Sequence, residues 1–441
     1  MKKQLSLLAA LVGLCSLSLQ AAEPTMANRR TASNYYAYPI PEIPAPQLTA
    51  APEGYEPFHM EHYGRHGSRW HIGEWVYVNP VKNLLKAQRN GQLTPKGEKL
   101  LAQLQKIEMD YRGHDGELTA KGARQHRGIA QRMTANFPQL FEDGAWVNAR
   151  STDVMRCVLS MANEVEELKA FNPEGLNIVM DGSRAYVPYL NFEDPVANEA
   201  TERARKHLKP LNPVNRKMAD KWVLQFIKDP QFIADSIPSK DLFNDLFRLA
   251  ANTQSHDDQP SLYEYFTDDE LYSKWRYNNA NYFLRFGNTP LTDNLGPRRQ
   301  RFLLRNWIES ADSSLAIPGH VGANLRFGHE VALMPMVCLL NINGYGNPTS
   351  DLENLDQHWK NIDIFPMGSN IQMIFYRPVG KKDFKPEDVL VKVLLNEGEG
   401  TLPTQAVSGP YYRWSDLRRY YLDLLGPDGG VIPPAKPLSN E

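Results

Sequence analysis

The sequence predicts an α/β protein: a mixed central sheet flanked by helices, with a mostly helical cap inserted between two halves of the core. Three observations carry this expectation. Strand-like runs pass directly into loops and helices in both halves of the chain, at YEPFHMEHYGRHG, WVNARSTDVMRCVLSM and ANLRFGHE. Two β-rich runs, SNIQMIFYR and DVLVKVLLNE, precede a last helix. Between the halves, residues 197 to 310 form a polar tract whose apolar residues recur at helical spacing.

The elements follow in order. Residues 1–22 begin with Lys2 and Lys3, continue through LSLLAALVGLCSLSL and end in QAA, the pattern of an export signal. The apolar run is about 15 residues, short of the roughly 20 that span a bilayer. Residues 23–54 are rich in Pro, Ala and Tyr and read as an extended lead-in without regular structure. Residues 55–165 and 311–441 form the two halves of the core, and 166–310 form the helical insertion. In the first half YEPFHMEHYGRHG reads as a short strand running into a loop, followed by a helix near 78–89. Two further helices open at LTPKG and LTAKG, with Thr94 and Thr119 as N-caps and Pro95 at the first helical position. In the second half, VALMPMVCLLNI reads as a helix after ANLRFGHE, and YYRWSDLRRYYLDLL as the closing helix.

Composition bounds the function. The 441 residues are 42% hydrophobic and 23% charged, which describes a folded globular chain. A formal net charge of −2 gives no global attraction to nucleic acid, so any anion site is local. No later segment is long and apolar enough to span a membrane, so the expected location is periplasmic or extracellular. Export permits a disulfide between Cys157 and Cys338, but each lies in an apolar helical pattern that suits a buried thiol equally well.

Three short motifs carry chemistry. Arg65, His66, Gly67 and Arg69 follow the first strand. Two arginines on one loop can hold two faces of a tetrahedral dianion, and Gly67 lets backbone and ligand approach closely. RSTDVMR places Arg156 one turn into a helix, whose N-terminus is itself an anion site. FGHE sets His329 beside Glu330 at the end of a strand, offering an oxyanion donor and a general acid. Each motif alone also fits an ordinary surface cluster or helix start. Together they supply an anion cradle, a nucleophile and a proton donor, the needs of phosphomonoester hydrolysis.

The motifs resemble the histidine acid phosphatase family, the larger branch of the histidine phosphatase superfamily. RHGSR resembles its nucleophile motif, GELTAKGARQHRGIAQRM its GxLTxxG helix, RSTDVMR its STDxxR segment and RFGHE its late His-Asp or His-Ala-Glu motif. The resemblance spans roughly residues 55 to 425, with the helical tract matched in position alone. It implies that His66 attacks phosphorus to give a phosphohistidine. Arg65, Arg69, Arg156 and His329 would hold the phosphate oxygens, and Glu330 would protonate the leaving alcohol. It implies no metal and no cofactor, because the arginines supply the positive charge. Two departures stand out: His71 occupies a position where many members have proline, and the late motif is His-Glu.

The expected partner is a small-molecule phosphomonoester. Inositol polyphosphates such as phytate require a basic rim, for which Lys96, Lys99, Lys121, Arg124, ERARKHLK (202–209) and PRRQR (297–301) are candidates. The alternatives are a broad-specificity histidine acid phosphatase and an exported phosphate- or sugar-binding protein without turnover.

Overall fold

The computed structural model describes residues 26–38, 47–426 and 429–430. The export pattern of residues 1–22 lies outside the described residues. No helix among the described residues is long and apolar enough to cross a membrane.

Nine strands form one sheet: β1 (Tyr55–Arg65), β2 (Trp146–Ser151), β3 (Asn177–Gly182), β4 (Gly322–Gly328), β5 (Asn370–Pro378), β6 (Leu390–Leu395), β7 (Gly398–Gly400), β8 (Ala406–Ser408) and β9 (Tyr411–Arg413). Their order is β3-β2-β4-β1-β5-β6-β9-β8, with β7 paired to β6. β3, β2, β4 and β1 run parallel, while β5, β6 and β9 continue the sheet antiparallel. The sheet is therefore mixed, as the sequence predicts.

Both faces of the sheet are covered, which explains why LVKVLL in β6 is buried at every position. Side chains alternate across a strand. Val391, Val393 and Leu395 enter one apolar cluster with the helices Arg301–Leu315, Glu330–Leu340 and Trp414–Leu425. Leu390 and Leu394 enter the opposite cluster with Ala120–Asn136 and Met155–Phe171. A fully buried Leu or Val contributes about 1.5–3 kcal/mol of transfer free energy. The two-sided core thus fixes the register of the strand ends that carry the motifs.

A separate apolar cluster packs helices from two sequence segments. Val76, Leu84, Leu100 and Ile107 pack with Trp222, Phe226, Phe243 and Leu246. The helices Trp75–Arg89 and Pro95–Tyr111, placed by sequence in the first half of the core, thus pack among residues of the insertion. Their apolar faces find partners there because the faces of the sheet are already occupied. Residues 177–182, placed by sequence in the helical insertion, instead form β3, the edge strand beside β2. The exposed register of β3 (Asn177 and Val179 to Gly182) hides the apolar signal that marks the inner strands.

The lead-in also departs from expectation. Its described part forms a short helix, Met26–Arg30, and a turn, Ser33–Tyr35, and Ala37 bridges to Met367. Long-range polar contacts hold it: Arg30 pairs with Asp363, and Asn361 donates to the Ser33 hydroxyl at 2.7 Å. Such tertiary anchors leave no periodicity in the local sequence. YYR, read as the start of the closing helix, is β9, and the helix begins at Trp414.

Candidate active site

Strand order brings the three motifs together. β4 lies between β2 and β1, with Arg65 in register with Gly328 and Ser151 with Phe327. The loops after β1, β2 and β4 therefore leave the same edge of the sheet, at the carboxyl ends of parallel strands, where open α/β sheets place ligands.

The loop after β1 is fixed on four sides. The His66 N–H donates to the Gly328 carbonyl at 2.9 Å, and the Arg65 N–H to Ser369 at 2.8 Å. The Gly67 N–H donates to the Ser160 hydroxyl, and the Ser68 N–H to the Gln125 side-chain carbonyl. Beneath it lies the start of the helix Ala120–Asn136. Thr119 accepts from the Gly122 N–H at 3.1 Å as an N-cap and donates its own hydroxyl to the Ser68 carbonyl at 3.0 Å. A Cβ at Gly67 would collide with the Gly122 backbone, and one at Gly122 with the Ser68 backbone. The pair of glycines is what lets helix and loop touch. The first LT-x-KG serves a different contact, with Gly97 against the Phe226 carbonyl in the cap.

His66 is completely buried and its Nδ1 lies 2.9 Å from the Gly67 carbonyl. A carbonyl only accepts, so Nδ1 carries the proton and Nε2 keeps its lone pair. Nε2 has no hydrogen-bond partner and stands 3.8 Å from the Glu330 carboxylate. Burial, then the charges of Arg156, Arg65 and Arg69, hold the ring well below the ordinary histidine pKa. It is a neutral imidazole with an available Nε2.

Two of the three arginines are held in place by backbone carbonyls. Arg65 donates through Nη1 to the Phe365 carbonyl at 2.6 Å and through Nη2 to the Asn34 carbonyl at 2.8 Å. Its Nε faces Glu330 at 3.4 Å. Arg69 donates to the Trp70 carbonyl at 2.8 Å and lies 5.2 Å from the Tyr35 ring centroid. The Nε atoms of Arg65, Arg69 and Arg156 are buried without a hydrogen-bond partner. Buried unpaired guanidinium nitrogens are costly, so their convergence marks a place for an anion.

His329 and Glu330 close the site at the start of the helix Glu330–Leu340. The rings of His66 and His329 are 5.6 Å apart, edge to face. The His329 N–H donates to the Tyr63 hydroxyl at 3.1 Å, and that hydroxyl donates to the Leu190 carbonyl at 3.0 Å. Cys157 is a buried free thiol lying 3.6 Å from His329 Nε2, and Cys338 is buried and free as well. Burial and the charge of Arg156 bring His329 down to about 4. Burial alone would raise Glu330, but Arg65 and Arg69 outweigh it and hold the carboxyl at about 2.

A cavity of about 280 Å³ opens from Arg69, Arg156, His329 and Glu330 outward to Asn191, Arg285 and Arg299. His66, His329 and Glu330 offer ligand atoms within 4.8 Å of one another, a spacing that a cation could also use. The three guanidiniums around them favour an anion instead.

All six residues singled out from sequence meet here: Arg65, His66, Arg69, Arg156, His329 and Glu330. Of the proposed rim, Arg299 lines the cavity. Others are engaged elsewhere: Lys99 with Glu264, Arg124 with Asp257, Arg203 with Glu199 and Asp293, and Arg301 with Asp194. Sequence reasoning missed Asn34 and Tyr35, whose approach depends on the fold of the lead-in. It also missed Ser160 and Gln125, which sit in helices already read as helices without a polar signature of their own.

The class defined by this fold and site agrees with the histidine acid phosphatase resemblance of the motifs. More particularly, the chain is a homologue of multiple inositol polyphosphate phosphatase. It is 24% identical over 405 residues to the human multiple inositol polyphosphate phosphatase 1, covering 82% of this chain and 78% of that one. The fold matches the Bifidobacterium longum multiple inositol polyphosphate phosphatase in complex with inositol hexasulfate (TM-score 0.72, 19% identity, 91% of this chain and all of that one). It also matches the phytase from D. castellii (TM-score 0.62, 14% identity, 90% of this chain and 85% of that one). No family model matches the chain.

Proposed function

We propose that the protein is an exported phosphomonoesterase that hydrolyses inositol polyphosphates through a phosphohistidine on His66. One observation carries the chemistry. The neutral His66 Nε2 and the Nε atoms of three arginines, none with a hydrogen-bond partner, are buried together around a single carboxylate among the described residues, Glu330, so positive charge exceeds negative there. A phosphoryl group in the cradle meets the arginines with its oxygens and Nε2 with its phosphorus. Nε2 forms the N–P bond as the ester P–O bond breaks, and Glu330 gives its proton to the departing oxygen. Water then attacks phosphorus, Glu330 takes the proton back, and His66 is released as phosphate leaves.

The ionised state of Glu330 among the arginines fits this sequence. Its pKa is low because it faces Arg65 and Arg69. A bound phosphate dianion neutralises those charges and repels the carboxylate, so the pKa of Glu330 rises on binding and the acid is loaded by its substrate. The homology to multiple inositol polyphosphate phosphatase supports the substrate class. The pattern of residues 1–22 supports export.

The test is phosphate release from phytate and from p-nitrophenyl phosphate, side by side, with His66→Ala as control. Faster turnover of phytate, abolished in the control, is the expected result. Comparable rates favour a general acid phosphatase, and activity surviving His66→Ala overturns the mechanism. Phosphate binding without release from either ester returns the protein to the binding class.

A further inference from the structure

One peptide unit decides which nitrogen of His66 carries the proton, and that unit is held from its far side. His66 Nδ1 lies 2.9 Å from the Gly67 carbonyl. The N–H of the same peptide belongs to Ser68 and donates to the Gln125 side-chain carbonyl at 2.8 Å. A trans peptide is planar, with its carbonyl and N–H pointing opposite ways, so a bond at the N–H aims the carbonyl. Gly67 has no Cβ to restrict its rotation, so the aim has to come from outside.

Gln125 suits that task. It is 1% exposed, and both ends of its amide are engaged. The oxygen takes the Ser68 N–H, and Nε2 donates to the Tyr38 carbonyl at 3.1 Å. An N–H needs an acceptor and a carbonyl needs a donor, so the two partners fix which way the amide faces. Tyr38 is itself anchored, with its N–H on the Met367 carbonyl at 3.1 Å and its hydroxyl on Glu397 at 2.7 Å.

The hold matters because a competitor stands close. His66 Nε2 lies 3.8 Å from the Glu330 carboxylate. A proton on Nε2 would be drawn to that carboxylate and would block the lone pair that attacks phosphorus. The other charged or titratable groups facing the ring are Arg65 and Arg69 of its own loop, Arg156 of the helix Met155–Phe171, and His329. The arginines oppose a second proton on the ring, but they offer no acceptor and so do not choose between its nitrogens. The choice lies between the Gly67 carbonyl and Glu330.

We propose that Gln125 is a positioning residue for the nucleophile: through the Gly67–Ser68 peptide it keeps the His66 proton on Nδ1, against the pull of Glu330, and so keeps Nε2 free to attack. The inference rests on the phosphohistidine reading above and deepens it, since Gln125 acts on His66 only through the backbone. It also ties the lead-in to the reaction, because Tyr38 anchors the amide that aims the carbonyl.

Nitrogen NMR of the full protein labelled in its histidines reports the tautomer, with the His66 signals identified by their loss in His66→Ala. Wild type is expected to show a protonated Nδ1 and a bare Nε2. In Gln125→Met, similar in length but without an amide, much of the proton moves to Nε2. There kcat falls about 10- to 100-fold on both phytate and p-nitrophenyl phosphate, the usual loss when the group orienting an active histidine is removed. The inhibition constant of inorganic phosphate stays within about twofold, because the arginines are untouched. Gln125→Glu, which keeps an acceptor for the Ser68 N–H, keeps the wild-type spectrum and recovers most of kcat. If Gln125→Met shows no cooperative melt, Gln125→Asn, one methylene shorter, takes its place with the same expected change. An unchanged tautomer in the variant, a proton on Nε2 in wild type, or a loss of phosphate affinity equal to the loss of kcat overturns the role. The spectra need no turnover. Wild type inactive on both esters therefore strikes the phosphatase reading, while the tautomer still decides whether Gln125 places the proton.

Discussion

At the scale of single residues, the site is an argument about protons. His66 carries its proton on Nδ1 because the Gly67 carbonyl accepts there, leaving Nε2 as the nucleophile. Arg65 and Arg69 keep Glu330 ionised, and it is expected to gain its proton as an anion binds. This assignment separates two kinds of leaving group. Glu330→Gln should slow phytate cleavage about 10²- to 10⁴-fold, the range for a general acid. It should slow p-nitrophenyl phosphate much less, because nitrophenolate leaves without a proton. Equal losses on both esters would remove Glu330 from the role of acid. Arg156→Ala should cost about 10²- to 10³-fold in kcat/KM on either ester, as loss of one preorganised donor does. Parallel steady-state kinetics on the two substrates check both expectations.

At the scale of elements, the decisive contact is between a helix start and a loop. Thr119 caps the helix Ala120–Asn136 and also donates to the Ser68 carbonyl, so one side chain orders both. Thr119→Val should lower stability by about 1 kcal/mol, the ordinary worth of an N-cap, and lower activity as well. Thr94→Val should cost similar stability with activity intact, since its helix meets the cap at Phe226. Denaturant melts together with phosphatase assays distinguish the two. The contrast also shows what the sequence makes legible. Both LT-x-KG starts are readable, because capping is local chemistry. Which of them supports the catalytic loop is not, because Gly67 and Gly122 are 55 positions apart and meet through tertiary packing. The same distinction holds across the chain. β5 and β6 are legible as β-rich apolar runs and β1 and β4 as strand-like runs into loops, whereas β3 is hidden by its exposed edge and the lead-in by its long-range anchors. Likewise the cradle residues sit in compact motifs, while Asn34 and Tyr35 reach it from a segment with no pattern.

At the scale of the whole molecule, buried neutral histidines set the pH response. Burial holds His62, His71, His256, His320 and His329 at about 4. In the unfolded chain they titrate near 6.5. Between these values the unfolded state binds more protons, so their effect is to make stability fall as pH drops from about 6.5 to 4. Calorimetric melts across that window should show the decline. Ligand binding should run the other way at the site. A bound dianion stabilises protonated His329 and Glu330, so sulfate, whose charge is constant over this range, should bind more tightly as pH falls from 6.5 towards 4. Titration calorimetry in buffers of different ionisation enthalpy would register the proton uptake.

The central claim is that the phosphoryl group passes through His66, and covalent capture tests it most directly. The full protein is mixed with phytate, quenched within milliseconds in alkali, which spares phosphohistidine, and digested for peptide mass analysis. The account predicts a phosphoryl adduct on the peptide containing His66, assigned to that residue and absent in His66→Ala. Rapid release of phosphate with no adduct at any quench time, or an adduct on another residue, would contradict it.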